Sequence, residues 1–309
     1  MGMRLLSSWR PLAVVASVLA VAVPLACGSD KDSIFPDGAD AGNDGSTGPN
    51  VIFDPIPDTN DDIDASTNQS DASTGITMTI RDFRFWNSSD NTTNKDFENP
   101  PSSGSEWDDR NIVTETLGTD NKPIYGAHPS GTLTTHGATY FAQWFNNVAG
   151  SNIAQDIPLA TTLLDGGTTE YDSNKSGQPQ DPTHPDNGAR GFFPIDDGST
   201  YKTAFGNQGK PHNYSFTGEI HAAFTFHGGE KFHFRGDDDV WVYINKKRVI
   251  DIGGIHNPET ADVNLDTLGL TVGQDYQLDF FFAERHVTGS NVLFQTTLAL
   301  RAAPPGGIK

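Results

Sequence analysis

The chain has 309 residues, with 20 Lys+Arg against 40 Asp+Glu, a formal net charge of −20 and a hydrophobic fraction of 35%. That acidity excludes a nucleic-acid backbone as partner, which needs a basic face, and it suits divalent cations or neutral ligands. One cysteine excludes an intrachain disulfide framework and any zinc site built from several cysteines.

Residues 1–10 carry Arg4 and Arg10 and no acid, and Pro11 to Ala26 is almost wholly apolar. This run is short for a membrane span and has the layout of an export signal, so residues 1–26 stand outside the fold. It ends Val23-Pro24-Leu25-Ala26-Cys27-Gly28. The cysteine at this junction resembles that of a bacterial lipoprotein signal, although Pro24 and Leu25 depart from the commonest pattern. The resemblance implies lipidation at Cys27, an anchor in a membrane, and display on the outer membrane or cell surface. An ordinary cleaved signal and a secreted protein is the alternative. Residues 28–75 hold eleven Asp, no Glu and the single cation Lys31, for a net charge of −10. Such a segment cannot bury enough apolar surface to offset its ordering entropy, so residues 27–75 read as an acidic tether.

Residues 76–302 read as one β-rich domain, followed by a tail at 303–309. Ile76 to Ile80 alternates with period two, and Phe83 and Phe85 follow. Residues 87–136 and 165–212 are rich in Asn, Ser, Thr, Pro and Gly and read as long loops. Thr139 to Val148 has helical spacing at Tyr140, Trp144 and Val148, which predicts one short helix. Strands are predicted over Ile157–Leu164, Phe216–Phe226, Lys231–Phe234, Val240–Ile250, Tyr276–Phe282 and Val292–Leu300. Turn signals stand at Gly228-Gly229 and Asn245-Lys246-Lys247. Val240, Val242 and Ile244 alternate with Trp241 and Tyr243, so both faces are apolar and the strand is interior. The fold class is therefore all-β, an antiparallel β-sandwich with long loops.

Gly236-Asp237-Asp238-Asp239 interrupts two of these apolar strands. Adjacent carboxylates repel, and in an extended chain neighbouring side chains point to opposite faces. For two of them to share one ion the backbone must turn sharply or adopt a cis peptide. A Ca²⁺ ion, which takes oxygen ligands, would relieve the repulsion; a solvated acidic turn is the bland alternative. His256 and His286 follow the acidic turn, and their convergence on it would suit zinc better than calcium. Trp107 and Trp86 lie in polar surroundings, where they serve either as loop anchors or as flat platforms for sugar rings. Arg235-Gly236-Asp237 spells an integrin-type tripeptide, frequent by chance, and its Asp is better assigned to the acidic turn.

The segments Phe234-Arg235-Gly236-Asp237-Asp238-Asp239-Val240-Trp241-Val242-Tyr243-Ile244-Asn245, Ile250 to His256, Leu265 to Leu270 and Phe281-Phe282-Ala283-Glu284-Arg285-His286 resemble the fibro-slime domain. Ile80-Arg81-Asp82-Phe83, Gln143-Trp144-Phe145 and His212 to Phe216 agree with it. That family is similar to the protective-antigen-type β-sandwich of toxins, glycosidases and yeast flocculins. In its sugar-binding members two adjacent Asp joined by a cis peptide bind Ca²⁺, which also meets sugar hydroxyls. Carried over, the resemblance puts Asp237 and Asp238 on the metal, with Asn291 and Glu284 from the closing loop as further ligands. Asp239, Trp241, His256, Arg285 and His286 are the expected ligand-binding residues around it. Asp239 stands where the wider family usually has Gly, and Asn245-Lys246 replaces its usual Asn-Gly. The implied function is calcium-dependent binding of a polysaccharide or glycoconjugate, as an adhesion module on the cell surface or in an extracellular matrix, and not an enzyme. The alternatives are a structural matrix protein in which calcium only braces the fold, and a glycan hydrolase using Asp237, Asp238 and Glu284.

Overall fold

The structure, a computed structural model, describes residues 75–84, 86, 93–98, 101, 107–175, 191–196, 212–287, 289–304 and 307. The export signal, Cys27 and all of the acidic tether except Gly75 lie outside the described residues.

Two antiparallel sheets face each other. The larger runs β3 (Asn152–Pro158), β1 (Thr77–Phe83), β6 (Phe216–Thr225), β12 (Asp275–Glu284), β8 (Asp239–Ile244), β9 (Lys247–Ile252), and β14 (Arg301–Ala302) pairs with β6 beside them. The smaller runs β11 (Glu259–Asn264), β7 (Lys231–Asp237), β13 (Asn291–Thr296), β5 (Thr169–Asp172), β4 (Thr162–Leu163). A separate two-stranded pair joins β2 (Trp107–Asp108) to β10 (Gly254–Ile255). The molecule is an antiparallel β-sandwich, as the alternating segments predict.

Between the sheets lies the main core. From the larger sheet it takes Met78, Ile80, Phe224, Val240, Val242, Phe280 and Phe282; from the smaller, Tyr171, Phe232, Phe234, Val292 and Phe294. The period-two pattern of these strands is the direct cause, since it delivers every second side chain to one face. In the larger sheet β12 is central, with Phe280 opposite Val242 on one side and Ile220 on the other.

The odd-numbered residues of the same strands are buried too. Trp241, Tyr243, Phe281, Ala283 and Phe83 pack under Phe97, Ile112, Val113, Leu117, Phe141, Trp144 and Phe145. Segments 93–98 and 107–145 thus form a third layer over the outer face of the larger sheet. This is why Val240–Ile244 carries apolar residues on both sides.

Several boundaries differ from the sequence expectation. The helix α1 is only Ala138–Phe141, and residues 142–145, with Trp144 and Phe145, continue it as turns. Ile157–Leu164 is not one strand: β3 stops at Pro158 and β4 starts at Thr162. Val240–Ile250 is a hairpin whose turn residues Asn245 and Lys246 have φ of 51° and 64°. Lys246 thus holds the left-handed position in which the two-residue hairpin turn prefers Gly. Strand β11 was not expected, because its exposed positions alternate with only weakly apolar ones.

Candidate functional site

Strands β7 and β8 cross from the smaller sheet to the larger at Asp237-Asp238-Asp239, and the peptide bond between Asp237 and Asp238 is cis. Gly236, the residue before, has no room for a side chain: a Cβ there would stand 2.4 Å from the Asn291 carbonyl and 2.6 Å from the Phe234 ring. The three carboxylates are buried, and each is held by a different neighbour.

Asp237 Oδ1 accepts a hydrogen bond from the Asn291 backbone N–H at 2.5 Å, and Oδ2 accepts one from the Asn291 side-chain amide at 3.2 Å. Asp238 accepts the backbone N–H of His256 at 3.1 Å and that of Arg285 at 3.2 Å. Asp239 accepts the Gly254 N–H at 2.8 Å and is ion-paired with Arg285 Nε at 2.5 Å. Arg285 is fully buried. Its remaining N–H groups donate to the carbonyls of Thr134 and Asp96 and to the Thr134 hydroxyl, and its guanidinium lies 4.7 Å from the centre of the Trp144 ring.

Glu284 completes the cluster from the end of β12. It is 1% exposed; the Ser290 side chain and the His286 backbone N–H are its polar neighbours, and neither meets a carboxylate oxygen in good hydrogen-bond geometry. His256 is 8% exposed; its Nδ1 meets the Asn257 carbonyl at 2.9 Å, and its Nε2 is buried with no hydrogen-bond partner among the described residues.

The electrostatics follow from burial. Desolvation pushes the Asp237 carboxyl up to about 6 in spite of the two hydrogen bonds from Asn291. Burial, reinforced by the charge of Asp237, lifts Asp238 well above the ordinary carboxylate range. Burial and the charges of Asp238 and Asp237 do the same to Glu284. Asp239 is raised by burial and held back by Arg285. Arg285 is committed to Asp239, and Arg235 acts on Asp237 through space. Asp237, Asp238 and Glu284 therefore form a buried anionic cluster short of positive charge.

Oxygen donors in this number suit a hard cation that takes carboxylate, amide and carbonyl oxygens. Among the described residues no three His, Cys, Asp or Glu side chains stand close enough to hold an ion by themselves. A cation held by Asp237 and Asp238 would draw its other oxygens from Asn291, backbone carbonyls, water or a ligand, with Glu284 as a charge behind them.

Of the residues expected from the sequence, Asp237, Asp238, Asn291, Glu284 and His256 come together here. Trp241 does not belong with them: it is fully buried in the third-layer core, and its indole N–H donates to Asp251 at 3.0 Å. Asp239 and Arg285 are both buried and neutralise each other. His286 makes contacts of its own away from the aspartates. Its ring contacts the Val287 carbonyl and lies 3.9 Å from Glu98. The Asp of the Arg-Gly-Asp tripeptide is buried in the cluster, so the tripeptide is not presented on a loop. Asn213 is fully buried and donates to Asp82.

The role of Gly253-Gly254 was not legible from residue type. A Cβ on Gly254, where φ is 136°, would meet the Trp107 carbonyl at 2.1 Å, and one on Gly253 would meet the Asp109 carbonyl at 2.6 Å. The pair is a notch into which residues 107–109 fit. Two adjacent glycines next to the acidic turn were the available signal. Among the described residues no helix is long and apolar enough to cross a membrane.

Residues 165–308 match the PA14 domain. Protein psiR of Dictyostelium discoideum is 42% identical over 220 residues, covering 69% of this chain and 21% of that protein. Protein psiD of the same organism is 40% identical over 195 residues, covering 60% of this chain and 36% of that protein. The chain spans about a fifth of the length of the first of these relatives. Among solved structures, the PA14 domain of the MpAFP antifreeze protein covers 76% of this chain and 86% of its own at 10% identity and a TM-score of 0.30. The PA14 sugar-binding domain from an RTX adhesin covers 44% of this chain and 72% of its own at 14% identity and a TM-score of 0.24. Superpositions this loose carry no argument about individual residues.

Proposed function

We propose that the PA14-matching chain is a carbohydrate-binding adhesion module that takes a Ca²⁺ ion at Asp237 and Asp238 and meets a polysaccharide or glycoconjugate there. The observation that carries this reading is the buried cluster of Asp237, Asp238 and Glu284, in which neither Glu284 oxygen has a hydrogen bond of good geometry among the described residues. Leaving carboxylates buried without a cation costs several kcal/mol per charge. A bound divalent ion removes that cost and presents open coordination positions to sugar hydroxyls.

The chain's own residues divide the work. Asn291 fixes the orientation of Asp237, and the amides of His256 and Arg285 fix that of Asp238. Arg285 cancels Asp239, so that the third aspartate does not compete for the ion. Lipidation at Cys27, with the acidic segment 28–75 as spacer, would hold the domain away from a membrane on the exported face of the cell.

The test is a calcium titration followed by a glycan array, on the wild type and on the double variant D237N/D238N. We expect a calcium-dependent rise in Tm and calcium-dependent glycan binding in the wild type, and neither in the variant. A calcium-dependent rise in Tm with no glycan bound would favour a purely structural ion. Unchanged glycan binding by the double variant would remove the reading.

A further inference from the structure

Residues 165–308 carry every member of the acidic cluster, but the loop that closes it is gripped from outside that span. Strand β12 ends at Glu284 and β13 begins at Asn291, so residues 285–290 join the larger sheet to the smaller. One end of this loop supplies the Arg285 N–H to Asp238; beyond the other end, Asn291 holds Asp237. Ser290 is anchored by Phe192, whose N–H donates to the Ser290 carbonyl at 2.7 Å and whose carbonyl accepts the Ser290 hydroxyl at 2.8 Å. The first half of the loop is anchored by Glu98.

The Glu98 backbone N–H donates to the Arg285 carbonyl at 2.9 Å, and its Oε1 accepts the Val287 N–H at 2.9 Å. Its side chain is 3% exposed, with Oε2 3.9 Å from His286 Nε2. Arg285 is thus held on both sides of its own Cα, its N–H on Asp238 and its carbonyl on Glu98. Glu98 has a φ of 64°, a left-handed conformation uncommon for a residue of this type. Such a conformation persists where the surroundings over-determine it. Here they do: Phe97 is fully buried and stacked on Phe83 at 4.3 Å, and the Asp96 carboxylate accepts the His136 N–H at 2.6 Å and the Trp144 indole N–H at 3.1 Å.

We propose that Glu98 is a positioning residue of the acidic site: by gripping residues 285–287 it keeps the Arg285 amide on Asp238, so that Asp238 is oriented before any ion arrives. The ion comes from the calcium reading above; the geometry is that of the metal-free protein. Asp238 accepts its backbone hydrogen bonds from His256 and Arg285, and a loosened loop removes the second of them. Val287 stays packed with Phe193 and Tyr214, so losing the Glu98 carboxylate loosens the loop without unfolding the domain.

The test uses E98G and E98Q in the full chain. E98G removes the carboxylate and keeps a left-handed backbone that Gly adopts freely, whereas E98Q keeps an oxygen for the Val287 N–H. Hydrogen exchange is followed in the metal-free protein at the Arg285 and Phe281 amides, and calcium affinity is measured by calorimetry. For E98G we expect exchange at Arg285 about tenfold faster with Phe281 unchanged, and calcium affinity about tenfold weaker. E98Q should lie within about threefold of wild type on both readouts. Wild-type exchange at Arg285 in E98G would overturn the proposal. So would equal acceleration at Arg285 and Phe281, which a general loss of stability produces. Losses in E98Q equal to those in E98G would overturn the hydrogen-bonded grip. Wild type that binds no calcium, with Arg285 alone loosened in E98G, would remove the calcium reading and leave the grip on the Asp238 donor standing.

Discussion

Asp237, Asp238 and Asp239 are identical in type and adjacent in sequence, yet their neighbours give them different fates. Asp239 has a buried cation of its own; Asp237 and Asp238 do not. Arg285 is accordingly a structural residue. Replacing it by Met leaves Asp239 as an unpaired buried charge and frees the Thr134 and Asp96 carbonyls, so R285M should lose about 3–5 kcal/mol in urea unfolding. R285K should recover only part, since an ammonium cannot reproduce the guanidinium fork. The raised carboxyls make a second prediction. A carboxyl whose folded value exceeds its unfolded one binds protons more tightly in the native state, so its contribution to stability is present at low pH and is lost as pH rises through the folded value. For Asp237 that value is about 6. Without metal, D237N/D238N should therefore melt above the wild type at about pH 7.5, and the gap should close on titration to about pH 5. The calcium-induced rise in wild-type Tm should shrink over the same window, because protons and the ion compete for the same oxygens.

At the scale of elements, the site depends on the meeting of three strand ends and one intruding segment. β7 and β13 pair so that Asn291 lies opposite Asp237, β12 ends at Glu284 with Arg285 next to it, and β10 with the following His256 offers its amides while backed by β2. The glycine notch is the weakest point of this assembly. G254A places a Cβ against the Trp107 carbonyl at a φ of 136°. It should cost about 2 kcal/mol, and it should raise hydrogen exchange at the Asp109 amide well above that at the amides of the central strand β12. Equal protection of both amides in the variant would mean that β2 does not rely on the notch.

For the whole molecule, the third layer decides what can be cut away. The PA14 match covers 165–308, but β1 and β3 lie before it, and β1 sits between β3 and β6 in the larger sheet. A fragment of residues 165–308 would lose β1, β3 and the cover over Trp241, Tyr243 and Phe281. It should be insoluble or bind hydrophobic dyes strongly, whereas residues 76–309 should stay soluble and unfold cooperatively; expression and dye titration separate these outcomes.

Period-two apolar alternation was enough to determine the sandwich, because a one-residue slip would turn each strand's whole apolar set toward water. The doubled alternation at Val240–Ile244 also signalled burial on both faces. Three adjacent acids between apolar strands marked the candidate site, since such a run is costly without a partner. Three-dimensional packing alone decided the rest. It assigned Asp239 to Arg285, sent Trp241 into the core, set His286 beside Glu98 and fitted residues 107–109 into the notch of Gly253-Gly254. Each of these outcomes rests on contacts between residues far apart in the chain, and local spacing carries no information about which distant side chain arrives.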